Sequence, residues 1–154
     1  MVNVETGIEE FFTGDHRECD AAWAAVESAV GKGDPAKARA LWEAFEARMR
    51  RHLAMEEEVL FPAIEAATGM RGQGPVSMMR REHEQMRLLL TEMTRRAASG
   101  DFQGVLDQGD TLLMLIQQHN AKEEGVLYPL AGSVLRQEWP ALAERLRAYA
   151  LAHH

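Results

Sequence analysis

The eleven residues from His52 to Pro62, HLAMEEEVLFP, return from His119 to Pro129 as HNAKEEGVLYP. Both read H-x-x-x-E-E-x-V-L-(F/Y)-P. On an α-helix, residues four apart lie on one face, one turn above the other. Each copy therefore aims one imidazole and one carboxylate at the same place. The duplication is larger than the motif. His16 stands 36 positions before His52, and His83 stands 36 before His119. His16 to His83, His52 to His119 and Glu56 to Glu123 are each separated by 67 positions. The chain reads as two copies of one helix-turn-helix unit, and a unit of that kind must bury its apolar stripe against the other copy.

Helix signals dominate and strand signals are nearly absent. Phe12, Cys19, Trp23, Val26 and Val30 recur at helical steps with His16 on or beside their face, which predicts a first helix from Ile8 to about Val30. Asp34 is the expected N-cap of the second helix, with Pro35 in its first turn. That helix carries Trp42, Phe45, Met49, His52, Glu56 and Val59; Pro62 is expected to kink it or end its regular ladder, and Thr68-Gly69 to close the segment. The glycine-rich stretch from Gly69 to Gly74 separates the halves. Pro75 opens a third helix that ends at Ser99-Gly100, and Asp101 caps a fourth that reaches Tyr128-Pro129. Gly104 and Gly109 weaken the first turns of the fourth helix. A loop is expected from about Ala131 to Gln137, then a short fifth helix over 138–151. Short connections between long helices make antiparallel neighbours. The fold expected is all-α: an up-down-up-down four-helix bundle built from two duplicated hairpins, about 8–68 and 75–130, plus the terminal helix, in one domain spanning 1–154. His153 and His154 receive no role.

Rise per residue places the histidines at one depth. His16 sits about 15 residues before the first turn and His52 about 18 after it, which at roughly 1.5 Å per residue differ by only a few ångströms. His83 and His119 stand in the same relation to the second turn. Four imidazoles and two carboxylates inside an apolar bundle need a partner, because an unpaired buried carboxylate costs several kcal/mol or takes up a proton. A pair of divalent ions removes that cost. His16 and His52 would hold one ion, His83 and His119 the other, with Glu56 and Glu123 bridging. Mixed imidazole and carboxylate ligation suits iron, with manganese or zinc as alternatives. An oxo or hydroxo bridge would balance charge on oxidation and leave an open position for a small molecule.

Those six residues, with the doubled motif, resemble the hemerythrin-like, HHE cation-binding family from Phe11 to about Pro129. The resemblance implies a four-helix bundle with two non-haem irons that bind dioxygen, nitric oxide or peroxide. Oxygen-carrying hemerythrins have a fifth histidine where this chain has Arg87, and an aspartate five residues after the last histidine where Glu123 follows by four. The four-histidine, two-glutamate set is closer to hemerythrin-like proteins linked to iron-centre repair under nitrosative stress. Those commonly carry an extra cysteine-containing N-terminal domain. Sensing, storage, detoxification and repair are all implied roles in a stress response.

The neighbours of the motif have plainer readings. Glu57 and Glu124 lie about 100° round the helix from the glutamates before them, so they are expected in solvent or at helix interfaces, a hydrogen bond to a ligand being the functional alternative. Cys19 is expected as a small buried hydrophobe, with redox chemistry as the alternative. The nine methionines are read as core filling, Phe61 and Tyr128 as wedges at the bundle end, and the arginines at 48, 50, 51, 80 and 81 as solvated faces. Tyr128 as an electron donor or hydrogen-bonding gate is the functional alternative.

A net charge of −7 argues against nucleic acid or an anionic membrane as partner. A single cysteine forms no internal disulfide, no stretch is apolar enough to span a bilayer, and the opening residues show no signal-peptide pattern, so a cytoplasmic protein is expected. No flavin or iron–sulfur motif is present, so redox turnover would require a separate redox partner. Three classes stay open: a ligand-binding di-iron protein; a di-iron peroxidase or nitric oxide reductase; and a module stabilised by zinc or a single ion.

Overall fold

The computed structural model describes residues 6–152; Met1 to Glu5, on which the signal-peptide expectation partly rests, and His153 and His154 lie outside them. Helix α1 (Ile8–Gly31) begins with Glu9 and Glu10 in its first turn, where carboxylates complement the helix dipole. A turn returns the chain to α2 (Pro35–Met55), whose first turn is capped by Asp34 accepting from the Lys37 N–H at 3.1 Å. Helix α3 (Phe61–Thr68) continues the same rod and ends at Gly69, whose φ of 75° is open to glycine at little cost. The second half repeats the plan. Helix α4 (Gly74–Ala98) turns at Gly100 (φ 80°) into α5 (Phe102–Lys122), capped by Asp101 accepting from the Gly104 N–H at 2.9 Å. Helix α6 (Tyr128–Val134) extends that rod, and α7 (Trp139–Ala152) crosses the end of the bundle. Among the described residues there is no strand.

The prolines do not break the rods. A π-helical turn, Glu56–Leu60, joins α2 to α3, and another, Glu123–Leu127, joins α5 to α6. Each begins at the motif glutamate and ends just before the Phe61-Pro62 or Tyr128-Pro129 pair. A π turn inserts one extra residue, which lets the helix pass a residue that donates no N–H. The Glu58 carbonyl, four residues before Pro62, instead accepts from Arg145 of α7 at 3.3 Å. The helix past Pro129 also corrects the expected loop from Ala131: α6 runs on to Val134, and the connection to α7 spans only 135–138.

Antiparallel packing is chiefly α1 on α2 and α4 on α5, the two hairpins of the repeat. Apolar side chains collect into two clusters. One, with Phe12, Phe61, Ile64 and Leu127, is closed by Trp139 and Leu146. The other holds Trp23, Trp42, Phe45, Leu90 and Met93 at the opposite end. Full burial of such a side chain is worth roughly 1.5–3 kcal/mol. Between the clusters lies one polar layer. Gly109 admits the Trp23 ring, since a Cβ there would stand 2.2 Å from Cζ2.

Candidate metal centre

The polar layer consists of the six residues expected from the sequence. His16, His52, Glu56, His83, His119 and Glu123 are all buried, the two glutamates completely. Within each hairpin the histidines meet at one level: ring centroids are 4.7 Å apart for His16 and His52, and 4.9 Å for His83 and His119. Two groups form, His16 with His52 and His83 with His119, and each includes both Glu56 and Glu123, with donor atoms within 4.8 Å of one another. Glu123 spans the groups, Oε1 lying 3.0 Å from His16 Nε2 and Oε2 3.1 Å from His119 Nε2. Glu56 Oε1 lies 3.1 Å from His83 Nε2 and 3.5 Å from His52 Nε2.

Each imidazole is held from behind by a carboxylate on another element. Asp15 accepts from His52 Nδ1 at 2.7 Å, Glu57 from His83 Nδ1 at 2.7 Å, Glu82 from His119 Nδ1 at 2.8 Å and Glu124 from His16 Nδ1 at 2.8 Å. That contact places the proton on Nδ1 and turns the Nε2 lone pair toward the centre. Glu57 and Glu124, expected mainly as solvated or interface residues, are thus imidazole partners. Asp15 and Glu82 were not singled out by sequence reasoning. Their signal was present: an acid precedes His16 and His83 directly, and the two acids are themselves 67 positions apart.

A third ring of cations supports three of these acids. Arg48 and Arg51 approach Asp15 at 3.9 and 4.0 Å, Arg87 donates to Glu57 at 2.6 Å, and Lys122 pairs with Glu82. Arg87, which stands where oxygen carriers have a fifth histidine, therefore points to a carboxylate behind His83. Burial pushes the Asp15 carboxyl up, but His52 and the two arginines outweigh it and hold it below the usual range. Glu57 and Glu82 are lowered the same way, burial being overcome by His83 with Arg87 and by Lys122 with His119.

Without a cation, protons must balance the centre. Burial alone would lower the histidines, yet nearby carboxylates win. His52 and His83 are raised, His119 reaches about 10, and Glu56 is held well below its ordinary value against the pull of burial. Even so, His52 Nε2, Glu56 Oε1 and Glu123 Oε2 are buried with no hydrogen-bond partner, although other polar atoms stand 3.1–3.5 Å away. Such groups are costly to bury unpaired. Nitrogen and oxygen atoms converging this closely fit divalent cations, and the residues present suit an ion pair.

Above the layer, Tyr128 is fully buried and its hydroxyl donates to Glu56 Oε2 at 2.6 Å. Burial and the two carboxylates raise its pKa well above the ordinary phenol value, so the hydroxyl holds its proton tightly. Below it, an enclosed cavity of about 10 Å³ is lined by His16, His52, His119, Cys19, Met49 and Ile116. Cys19 is buried, and burial pushes its thiol up to about 12, which leaves the small-hydrophobe reading in place. No helix among the described residues is long and apolar enough to cross a membrane.

The family model for the hemerythrin HHE cation-binding domain matches residues 7–131, leaving α7 outside the matched span. No curated protein and no solved structure matches the chain.

Proposed function

This chain belongs to the hemerythrin HHE cation-binding family, and from that premise we propose that it holds two non-haem irons and binds a small ligand on them: dioxygen, nitric oxide or peroxide. His16 and His52 would hold one ion and His83 and His119 the other, with Glu56 and Glu123 shared. The observation that carries this reading is the sharing itself: both glutamates belong to both groups of donor atoms within 4.8 Å. When bound, an iron pair supplies open coordination positions and one-electron chemistry.

The protein's own part is positioning and exclusion. Asp15, Glu57, Glu82 and Glu124 keep the Nδ1 protons in place, so the Nε2 atoms face inward before any ion arrives. Phe12 and Phe61, both fully buried, close the layer against water on the α7 side. The cavity beside His16, His52 and His119 is about 10 Å³, room for a molecule the size of water, which favours a diatomic or peroxide over any larger organic substrate.

Metal content together with anaerobic and aerobic optical spectra tests this reading, on the wild type and His119→Ala. Two irons per chain are expected, with near-ultraviolet bands that respond to dioxygen or nitric oxide, and a loss of stoichiometry in the variant. One zinc per chain, or no metal and no change on substitution, would replace it with a structural module. The ligand giving the largest response then separates carriage and storage from sensing and repair, and consumption of peroxide or nitric oxide with an added donor would mark an enzyme.

A further inference from the structure

At one buried position beside the centre the two halves of the repeat differ by a hydroxyl. Phe61 and Tyr128 are 67 positions apart, and both are 0% exposed. The Phe61 ring lies 5.3 Å from that of His83, and the Tyr128 ring lies 5.4 Å from that of His16. Only the tyrosine brings an oxygen. That oxygen stands 2.9 Å from His16 Nε2 and 3.0 Å from Glu123 Oε1, and these two atoms are 3.0 Å from each other. It also lies 2.6 Å from Glu56 Oε2.

The triangle of oxygen, nitrogen and oxygen is almost equilateral. Donors bound at about 2.0–2.2 Å to one ion, at right angles to each other, stand about 2.8–3.1 Å apart. The triangle thus has the size of one face of a coordination octahedron. A cation in the triangle would bond to all three atoms at once.

We propose that the phenol oxygen of Tyr128 is a further protein donor to the ion on the His16–His52 side, while Phe61 leaves the His83–His119 side one donor short. The inference rests on the iron reading above. Coordination sends the phenol proton to solvent. The two ions are then inequivalent, the one on the His83–His119 side holding fewer protein donors.

The test is ferric loading of the wild type, Tyr128→Phe and Phe61→Tyr, followed by iron content, visible absorption and resonance Raman spectra. A phenolate on ferric iron absorbs in the visible and shows enhanced phenolate ring modes. Both signals are expected in the wild type and absent from Tyr128→Phe, which also gives up one of its two irons to a chelator about tenfold faster or more. Phe61→Tyr is expected to strengthen the visible band by restoring a donor to the second half. Two irons without phenolate modes in the wild type overturn the inference and leave the iron reading standing, as does a band that survives in Tyr128→Phe. A wild type that takes up no iron overturns both. The wild-type spectrum decides even where Tyr128→Phe fails to fold.

Discussion

The Asp15 carboxylate on α1 accepts from Nδ1 of His52 on α2 at 2.7 Å, and both side chains are less than one tenth exposed. The contact crosses the hairpin, so the helix preceding His52 in sequence sets the rotation of its ring. Glu82 treats His119 in the same way one repeat later. Outer carboxylates of this kind typically change metal affinity by about 10–100-fold. Asp15→Asn keeps the shape and removes the charge, so it is expected to weaken iron or zinc binding by about that factor while the helical content stays. Competition with a chelator measures it; an unchanged affinity would show that the ring orients itself.

The metal-free protein carries a pH signature. His119 is raised to about 10, and His52 and His83 are raised as well, because carboxylate contacts outweigh burial. A group raised on folding contributes stability that is complete below its unfolded value, about 6.5 for histidine, and is lost as pH climbs through the folded value. Glu56, held well below its ordinary value, contributes stability present above its unfolded value, about 4.3, and lost as pH falls. Thermal unfolding of metal-free protein is therefore expected to peak between about pH 4.5 and 6.5 and to decline toward about pH 10. Metal-loaded protein should not share the alkaline decline, since coordination already requires neutral imidazole. A metal-free Tm that climbs through the alkaline range would contradict the assignment.

Two glycines should respond to alanine with opposite signs. At Gly109 a Cβ would meet Trp23 Cζ2 at 2.2 Å and Cη2 at 2.4 Å, inside a packed aromatic cluster. Overpacking of that kind costs about 1–3 kcal/mol, more than the gain of roughly 1 kcal/mol in helix propensity. Gly14 lies within α1 and has no heavy atom within 4 Å of its would-be Cβ. Gly14→Ala should stabilise by about 0.5–1 kcal/mol. Urea midpoints read both, and two shifts of the same sign would refute this packing account.

Cys19 should be silent in the native state. It is 4% exposed, and burial pushes its thiol up to about 12, so almost no thiolate exists near neutral pH. A thiol reagent such as Ellman's reagent is expected to label it only in denaturant, at one equivalent per chain. Rapid labelling of folded protein would reopen a redox role.

Much of the fold was legible because its signals are local. Asp34 and Asp101 cap helices where an acid precedes the first turn, and the 67-residue repeat carries both hairpins. Pro62 is expected from the sequence to kink its helix or end the regular ladder, and the α ladder does end at Met55. A π turn over Glu56–Leu60 then carries the rod past the proline, and Arg145 from α7 donates to the Glu58 carbonyl. That contact joins residues 87 positions apart, beyond the reach of any window read along the chain.

By itself, the sequence determined that four histidines and two glutamates lie on helix faces at matching depths, since helical period and rise depend on the backbone alone. Only the tertiary structure decided which carboxylate stands behind which imidazole. Those contacts join residues 26 to 108 positions apart on different helices, and they depend on how each rod is turned about its own axis. That Tyr128 carries a hydroxyl and Phe61 does not is written in the sequence, but where that hydroxyl lies is not. The two occupy equivalent places in a repeated motif, yet one sets a hydroxyl 2.9 Å from His16 Nε2 and the other offers a bare ring beside His83. Packing of the whole bundle sets those angles, and no local stretch of chain encodes it.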